Sequence, residues 1–475
     1  MASPASHNQH TNAPTQLPRR LGLWSSVAVV VGLTIGSGIF RTPAMVATKL
    51  PGTLPMLGVW IIGGIVALCG AMSLSEASSA YPETGGPYVY IRNAFGRLPA
   101  FLFGWAQLSM ISAAGAAGIA TAFAEYFLRV IGVDPHAGAN EEYVHYVAAA
   151  AVVIVGAINY VGVKWSSMVL NVLTLIKFIA LAVIVVGAFA IGLPRTGGHF
   201  TPVAPAGSYS AAPLGVALVA ILWAYDGWGE LAYLSGEVEN PNRNLPLGLI
   251  LGTASVATLY VLANLAYLSV LSVDEISASK LVAADVASRL VGPVGVTLVS
   301  MTVVVSTFGA LNASMLTSPR SLFAMADDRL LFKKVASVHP RFQTPYVAVA
   351  VTTVLGVALV MVQTFEQLAD TFVTAILPFY ALAVASLFVF RRRGVHAPFK
   401  TPLYPLVPAI FIAATLYLLA SALIDPSSRN ATLGVFAVTL VGIPIYYFTV
   451  ARGGSSPAVK SALLDERSQS GRGKA

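Results

Sequence analysis

The stretch Thr34-Ile35-Gly36-Ser37-Gly38-Ile39-Phe40, "TIGSGIF", lies in the middle of an apolar run that extends from about residue 23 to residue 47. Glycine costs roughly 1 kcal/mol relative to alanine inside a helix. Two glycines and a serine at its centre therefore make a weak point in a membrane-length segment. The ordinary explanation is close helix packing, since Gly32 and Gly36 are spaced as a small-xxx-small pattern.

The composition is that of an integral membrane protein. Of the 475 residues, 56% are hydrophobic and 10% are charged, whereas a soluble protein carries about a quarter charged residues. Apolar runs of about 20 residues, bounded by Pro, Gly and charge, recur along the chain. They predict an all-α membrane protein with twelve transmembrane helices, at about residues 23–47, 57–80, 99–130, 144–162, 167–192, 212–236, 246–272, 292–325, 345–363, 367–390, 404–424 and 430–451.

The basic residues predict the orientation. Of the 28 lysines and arginines, Lys177 falls inside a span, and most of the others fall in loops that share one side of the membrane with both termini. Because cytoplasmic loops carry the excess of Lys and Arg, we expect both termini in the cytoplasm. This bias also accounts for most of the net charge of +8, which is therefore not a nucleic-acid signal.

The sixth run is interrupted in the same way as the first. It contains "WAYDGWGE" at 223–230, where an aspartate and two glycines break an otherwise apolar span. Spans one and six are five apart, so a repeat of five spans would reverse its direction in the membrane. Two interrupted helices at matching places in inverted halves predict a transporter binding site at the bilayer midplane.

The two breaks suit one kind of ligand. Freed backbone groups are tolerated in a membrane only where they line a cavity or are otherwise satisfied. The second half of span one should begin near Ser37, so that the amides of Ser37, Gly38 and Ile39 attract a carboxylate. The first halves of the two spans should end near Thr34 and Trp223, and their free carbonyls suit an ammonium. An α-amino acid is the simplest ligand that carries both groups.

Three motifs resemble a known family. "GSGIF" at 36–40, "YPETGGPYVY" at 81–90 and "WAYDGWGELAYLSGEVENPNRNLP" at 223–246 resemble the amino acid–polyamine–organocation superfamily of permeases, and within it the bacterial relatives of the L-type amino acid transporters. The resemblance covers about residues 20–450. It implies a LeuT-like five-plus-five inverted repeat with spans eleven and twelve outside it. It also implies sodium-independent amino acid transport, often by exchange, with no ATP and no cofactor.

The expected organisation follows from these spans. We expect a disordered cytoplasmic tail at 1–20, a transporter domain at 21–452 and a cytoplasmic tail at 453–475, in the inner membrane of the cell. Within the domain, repeat one covers about 21–192, repeat two about 212–391, and the extra helices about 404–451. The expected partners are an amino acid substrate and the lipid bilayer, with no nucleic acid, while an accessory subunit and the oligomeric state stay open.

The resemblance also implies site residues. The carboxylate site falls on Gly36, Ser37 and Gly38, and the carbonyls for the amino group fall on Thr34, Trp223 and Asp226. Trp223 would also be an aromatic gate; the alternative, a tryptophan in the interfacial belt, is disfavoured by its distance from the end of the span. The residues predicted to bind the substrate are Thr34, Ile35, Gly36, Ser37, Gly38, Trp223, Ala224, Asp226 and Gly227.

Two charged residues lie near the middle of spans. Lys177 is too far from either end to reach an interface, and a buried charge in a membrane calls for a partner and a role. The resemblance implies that its ammonium stands in for a coupling sodium ion at the first break. Separately, Ser306 or Thr307 in span eight is expected to contact Lys177, and burial could also let Lys177 carry a proton. For Asp226 three interpretations stay open: a cap of the second half of span six, an ion pair with Lys177, and direct contact with the substrate amine.

The sequence thus predicts a secondary transporter of L-amino acids that works by sodium-independent exchange or proton-linked uptake. Neutral substrates are favoured because the span interiors offer little fixed charge. The alternative within transport is a cationic amino acid or polyamine exchanger. A membrane enzyme or a non-transporting receptor is the competing class, but the sequence contains no Walker loop, metal cluster or nucleophile constellation. The side-chain pocket should come from spans three, six, eight and ten, whose facing the sequence does not fix.

Overall fold

The computed structural model describes residue 19 and residues 21–451, apart from 139, 163–166, 206–209, 331–334, 336, 338 and 343. Over these residues the chain is helical, and the only β-type pairing in this part of it is an isolated bridge between Leu21 and Val238. The two predicted tails, at 1–20 and 453–475, lie outside the described residues except for Arg19.

The helices are numbered here in chain order. They are α1 Leu23–Thr34, α2 Gly38–Lys49, α3 Thr53–Ala80, α4 Pro87–Phe95, α5 Arg97–Val130, α6 Asn140–Val161, α7 Ser167–Gly187, α8 Leu193–Thr196, α9 Ala211–Tyr225, α10 Glu230–Tyr233, α11 Pro241–Val270, α12 Val273–Ala278, α13 Val282–Val291, α14 Pro293–Asp327, α15 Tyr346–Val360, α16 Phe365–Arg392, α17 Leu406–Ile424 and α18 Pro426–Ile445. Short π-helical segments occur inside α5 at Gln107–Ile111, after α7 at Ala188–Gly192 and after α18 at Tyr446–Ala451.

The described residues contain nine helices that are long and apolar enough to cross a membrane. The pair α1 and α2, bent by 45° at its break, forms one more such span. Helices α9 and α15 are apolar but shorter, with 15 residues each. A multi-pass helical membrane protein is therefore confirmed, while the count of twelve spans stays a prediction.

The first break occurs where the glycines predict it. Helix α1 ends at Thr34, and α2 begins at Gly38 with Ser37 as its N-cap residue. The second break differs slightly from the prediction, because α9 continues two residues beyond Trp223 to Tyr225. Gly227 then has a φ of +115°, a conformation that glycine adopts without steric cost. The predicted sixth span is thus only half continuous helix.

The two breaks lie against each other. A Cβ added to Gly38 would lie 2.6 Å from the Cβ of Ala224, and one added to Gly227 would lie 2.6 Å from the backbone nitrogen of Thr34. Both distances are too short for real atoms. The glycines therefore let the backbones of the two interrupted spans cross in direct contact.

The surroundings of Gly32 and Gly36 show which of the two is explained by close helix packing and which is left for a binding site. A Cβ on Gly32 would overlap the side chain of Thr174 on α7, so Gly32 does serve close helix packing. A Cβ on Gly36 would meet its nearest neighbour, the Leu33 carbonyl oxygen, at 3.8 Å, which is an ordinary contact. Packing therefore requires the first glycine of the pattern but not the second.

Candidate functional site

A cavity lies where the two breaks meet. Its empty volume is about 680 Å³, which includes its open mouth. Seven of the predicted substrate-binding residues line it: Thr34, Gly36, Ser37, Gly38, Trp223, Asp226 and Gly227. The other two, Ile35 and Ala224, are buried and do not form its wall. Lys177 and Ser306 do not line the cavity either. Their side chains donate hydrogen bonds to backbone carbonyls of Gly32 and Ile35, at the first break.

The start of α2 presents unpaired amides beside this cavity. In the described part of the chain, the backbone N–H groups of Ser37, Gly38 and Ile39 donate no hydrogen bond, whereas the amide of Phe40 donates to the Ser37 carbonyl at 3.2 Å. The first N–H groups of a helix carry a partial positive charge. Because Ser37 and Gly38 line the cavity, this helix end can accept an anionic group there.

The carbonyls of the first break already have donors. The Lys177 ammonium donates to the Gly32 carbonyl at 3.1 Å, and the Ser306 hydroxyl donates to the Ile35 carbonyl at 3.3 Å. The Thr34 carbonyl accepts from the Tyr260 hydroxyl and from the Gly36 amide, each at 2.8 Å. Two donors use both lone pairs of a carbonyl oxygen. In this conformation a ligand amine would therefore compete with Tyr260 for Thr34.

Asp226 lies at the C-terminal end of α9. Its carboxylate accepts a hydrogen bond from the Tyr380 hydroxyl at 3.4 Å. No ion pair joins Asp226 to Lys177 within the described residues. The N-cap position of α10 is occupied by Gly229, without a side-chain cap. Asp226 is thus a wall residue of the cavity, adjacent to both breaks.

Trp223 covers one side of the cavity. It is 7% exposed, and its ring meets Phe372 and Phe365 edge-on, at centroid distances of 5.2 Å and 5.8 Å. A Cβ on Gly118 of α5 would lie 2.7 Å from the indole, so this glycine makes room for the ring. Edge-to-face aromatic contacts of this kind contribute about 0.5–1.5 kcal/mol beyond burial.

Beyond Phe365 lies a buried ionic cluster centred on Arg41. The guanidinium is 5.4 Å from the Phe365 ring centroid. It pairs with Glu125 of α5 at 3.1 Å and with Glu366 of α16 at 3.0 Å, and both Arg41 and Glu125 are only 3% exposed. The cluster therefore connects α2, α5 and α16 next to Phe365, one of the two rings that contact Trp223.

His136 lies at the edge of the Arg41 cluster, in the loop after α5. Its ring nitrogen is 3.6 Å from Glu125. Burial, together with the charges of Arg41 and Lys280, lowers the pKa of His136 to about 4. His136 is therefore harder to protonate than a free imidazole, and the cation that lies against Glu125 is the Arg41 guanidinium, at 3.1 Å.

Most of the remaining wall residues come from the spans expected to form the side-chain pocket. Helix α5 contributes Gln107, Ser112 and Gly115, α14 contributes Ser314 and Ser318, and α16 contributes Phe372 and Ile376. No sequence motif indicated these residues, or Arg41, as part of the site. The available signal was polarity: Gln107 and Arg41 are polar residues inside apolar runs, but periodicity does not show which face of an almost entirely apolar helix meets the cavity.

A cavity between two interrupted helices, set in a bundle of apolar membrane-length helices, is typical of secondary transporters. The comparison with known sequences agrees. The chain belongs to the amino acid permease family, whose match covers residues 21–447.

Three relatives illustrate the similarity. The chain is 32% identical to the serine/threonine exchanger SteT of Bacillus subtilis (strain 168), over 91% of this chain and 97% of that protein. It is 31% identical to the human cystine/glutamate transporter, over 92% and 86% of the two chains. It is 29% identical to the human b(0,+)-type amino acid transporter 1, over 92% and 89%.

The family and these relatives are transporters rather than enzymes. The predicted permease resemblance and the prediction of amino acid transport are therefore confirmed. The choice between neutral and cationic substrates stays a prediction, as do the roles of the individual site residues.

Proposed function

We propose that the protein is a secondary transporter that exchanges L-amino acids, preferentially neutral ones, by alternating access. The observation that carries the proposal is the meeting of two helix breaks at one cavity with free amides at the start of α2. The relatives support exchange, since one of them is named a serine/threonine exchanger.

The proposal includes an architecture. The twelve predicted spans would form a LeuT-like fold, with repeat one at 21–192, repeat two at 212–391 and the extra helices at 404–451. The bent pair α1 and α2 and the interrupted α9 support it, because they are the first and sixth predicted spans. The protein would lie in the inner membrane with both termini in the cytoplasm.

The substrate would bind with its carboxylate at the amides of Ser37, Gly38 and Ile39. Its ammonium would lie near the C-terminal end of α9, beside the Trp223 carbonyl and the Asp226 carboxylate. Opposite dipole ends suit the two charges of an amino acid. Lys177 would stabilise the first break through its hydrogen bond to the Gly32 carbonyl, outside the cavity, in the position that a coupling sodium ion would otherwise take.

A cationic substrate is the second candidate. Asp226 and Glu230 both line the cavity, and two carboxylates near one ligand would favour an additional positive charge.

Exchange is tested directly in proteoliposomes. Vesicles containing the purified protein are loaded with an unlabelled amino acid, and the uptake of the same radiolabelled amino acid is followed, in parallel for threonine, leucine and arginine. We expect uptake to depend on internal substrate and to be largest for a neutral amino acid. Uptake that needs internal arginine would favour the cationic exchanger, and no uptake of any amino acid would contradict transport.

A further inference from the structure

Two polar side chains on the cavity wall have no hydrogen-bond partner. The Oε1 atom of Gln107 and the Oγ atom of Ser112 are both screened from water and unpaired. The two residues are 5% and 3% exposed, respectively. Among the described residues with such an unpaired side-chain atom, they are the two that line the cavity.

The local helix geometry explains why Ser112 is unpaired. A serine inside a helix commonly bonds back to the carbonyl four residues earlier, and in α5 Ser109 does so, donating to the Trp105 carbonyl at 2.7 Å. Ser112 directly follows the π-helical turn at 107–111, and its amide bonds to the Gln107 carbonyl, five residues back, instead of to a carbonyl four residues back. Such turns are frequent at functional sites.

Buried polar groups without partners are costly and rare in folded proteins. The neighbouring wall on α5, formed by Ile111, Gly115 and Ile119, offers no polar side chain. On the facing helix, Phe372 would lie 3.1 Å from a Cβ on Gly115, so this part of the cavity is narrow. The missing partner is therefore expected to be a small group supplied by the ligand.

The chemistry of the two side chains selects the ligand. A carboxamide and a hydroxyl can both donate and accept hydrogen bonds, and both are uncharged. A charged side chain beside them would lose its hydration without a counter-charge on α5. A hydroxyl or carboxamide on the ligand would satisfy both residues.

We propose that Gln107 and Ser112 form a side-chain subsite that selects amino acids with a small hydroxyl or carboxamide side chain over apolar amino acids of the same shape. The inference rests on the proposed function, because the subsite is a part of the same cavity. It assigns Gln107 and Ser112 as specificity residues and makes polar neutral amino acids the preferred substrate class.

Threonine and valine have nearly the same shape and differ by a hydroxyl in place of a methyl group, so they test the subsite. Dissociation constants for radiolabelled L-threonine and L-valine are measured on the purified full chain in detergent. One neutral hydrogen bond accounts for up to about tenfold in affinity. We expect the wild-type protein to bind threonine roughly ten- to a hundredfold more tightly than valine.

Two variants and a matched control locate the preference. Ser112→Ala and Gln107→Met should each lower the threonine-to-valine ratio by about tenfold, while valine affinity is kept or increased. Ser109→Ala removes a hydroxyl from the same helix that already has a partner, and it should leave the ratio unchanged. Because the readout is a ratio, loss of folded protein in one variant does not imitate the expected result.

Two outcomes would overturn the subsite: equal wild-type affinities for threonine and valine, or a threonine-to-valine ratio that is unchanged in both variants, as after an equal loss of both ligands. Tightest binding of radiolabelled L-arginine, measured in parallel, would also overturn it in favour of a cationic substrate. If the wild-type protein exchanges valine as well as threonine, only the subsite fails. If it binds and exchanges none of these amino acids, the proposed exchange function fails with it.

Discussion

Gly36 and Gly38 are two residues apart, yet they have different neighbours. Gly38 lies against the backbone of Ala224, while Gly36 faces the cavity, where an added Cβ would meet the Leu33 carbonyl oxygen at an ordinary contact distance of 3.8 Å. One glycine therefore holds the two interrupted spans together, and the other keeps the path to the amides of α2 open. Close approach of a ligand to backbone N–H groups is a common reason for glycine at a binding site.

Gly36→Ala should therefore lower substrate affinity without unfolding the protein. The new methyl group has room in the packing but narrows the access to the amides of Ser37 and Gly38. We expect affinity to fall by roughly ten- to a hundredfold, the equivalent of one hydrogen bond to a carboxylate. Substrate binding and thermal unfolding are measured together on the purified variant.

Gly38→Ala provides the comparison. Its methyl group would collide with Ala224, so this variant should lose thermal stability as well as binding. Bulkier replacements at Gly38 would likewise push the two spans apart at Ala224 before they reached a ligand. If Gly36→Ala binds substrate as tightly as the wild-type protein, the carboxylate lies elsewhere.

The residue types at 36–38 were enough to predict the first break, because glycine and serine are poor helix formers wherever they occur. It was not enough to predict what each glycine contacts. The approach of Gly38 to Ala224 joins two positions far apart in the sequence, and only the packing of the two spans brings them together. The same limit applies to Tyr260, whose hydroxyl reaches the Thr34 carbonyl.

At the scale of helices, the cavity is closed on one side by two layers. Trp223 of α9 forms the inner layer with Phe365 and Phe372, and the Arg41 cluster forms the outer one. Phe365 contacts both Trp223 and Arg41. Movement of α16, which carries Phe365, Glu366 and Phe372, would therefore affect both layers at once.

Trp223→Ala should impair closure of the cavity more than folding. The loss of the indole leaves Phe365 and Phe372 without their edge-to-face partner, a difference of about 0.5–1.5 kcal/mol for each pair. We expect weaker substrate affinity and substrate efflux that no longer depends on external amino acid. Efflux from preloaded proteoliposomes, with and without external substrate, measures the uncoupling.

Trp24 provides the control for Trp223, since it is 77% exposed at the start of α1. Trp24→Ala should keep wild-type exchange. Trp223→Phe, which keeps an aromatic ring, should restore part of the coupling. Normal, strictly exchange-dependent efflux in Trp223→Ala would remove this residue from the mechanism.

The sequence predicted which spans form the cavity better than it predicted which faces do. Spans three, eight and ten do contribute to the wall, through α5, α14 and α16. The facing of α5 depends on the π-helical turn at Gln107–Ile111, which shifts all later residues around the helix axis. A hydrophobic pattern with a regular period cannot reveal such a shift.

At the scale of the whole molecule, Lys177 connects α7 to the broken first span. It is 5% exposed, and its ammonium donates to the Gly32 carbonyl in the last turns of α1. Within the described part of the chain no carboxylate pairs with it. The contact of a buried ammonium with a backbone carbonyl of the broken span supports the proposal that Lys177 takes the place of a sodium ion, since transporters with broken helices bind sodium at such carbonyls.

If the ammonium takes the place of a sodium ion, transport by the wild-type protein should not require sodium. Lys177→Ala should leave the end of α1 without its cationic partner, slow the conformational cycle and reduce flux, with substrate binding affected less directly. A charge changes the balance between two conformations only through its different interaction energy with each of them. The loss should therefore appear as a shifted population of conformations and a flux reduced by roughly tenfold or more, the effect of one lost charge-assisted hydrogen bond.

The measurement is radiolabelled uptake into proteoliposomes in sodium-containing and in choline-substituted buffer, for the wild-type protein, Lys177→Ala and Lys177→Arg. Lys177→Arg keeps the charge with a longer, planar head group, so it separates the need for a cation from the need for an ammonium. Equal wild-type flux in both buffers, together with low flux in Lys177→Ala, is the expected result. Wild-type flux that vanishes without sodium, or normal flux in Lys177→Ala in both buffers, would show that Lys177 does not act as the coupling cation.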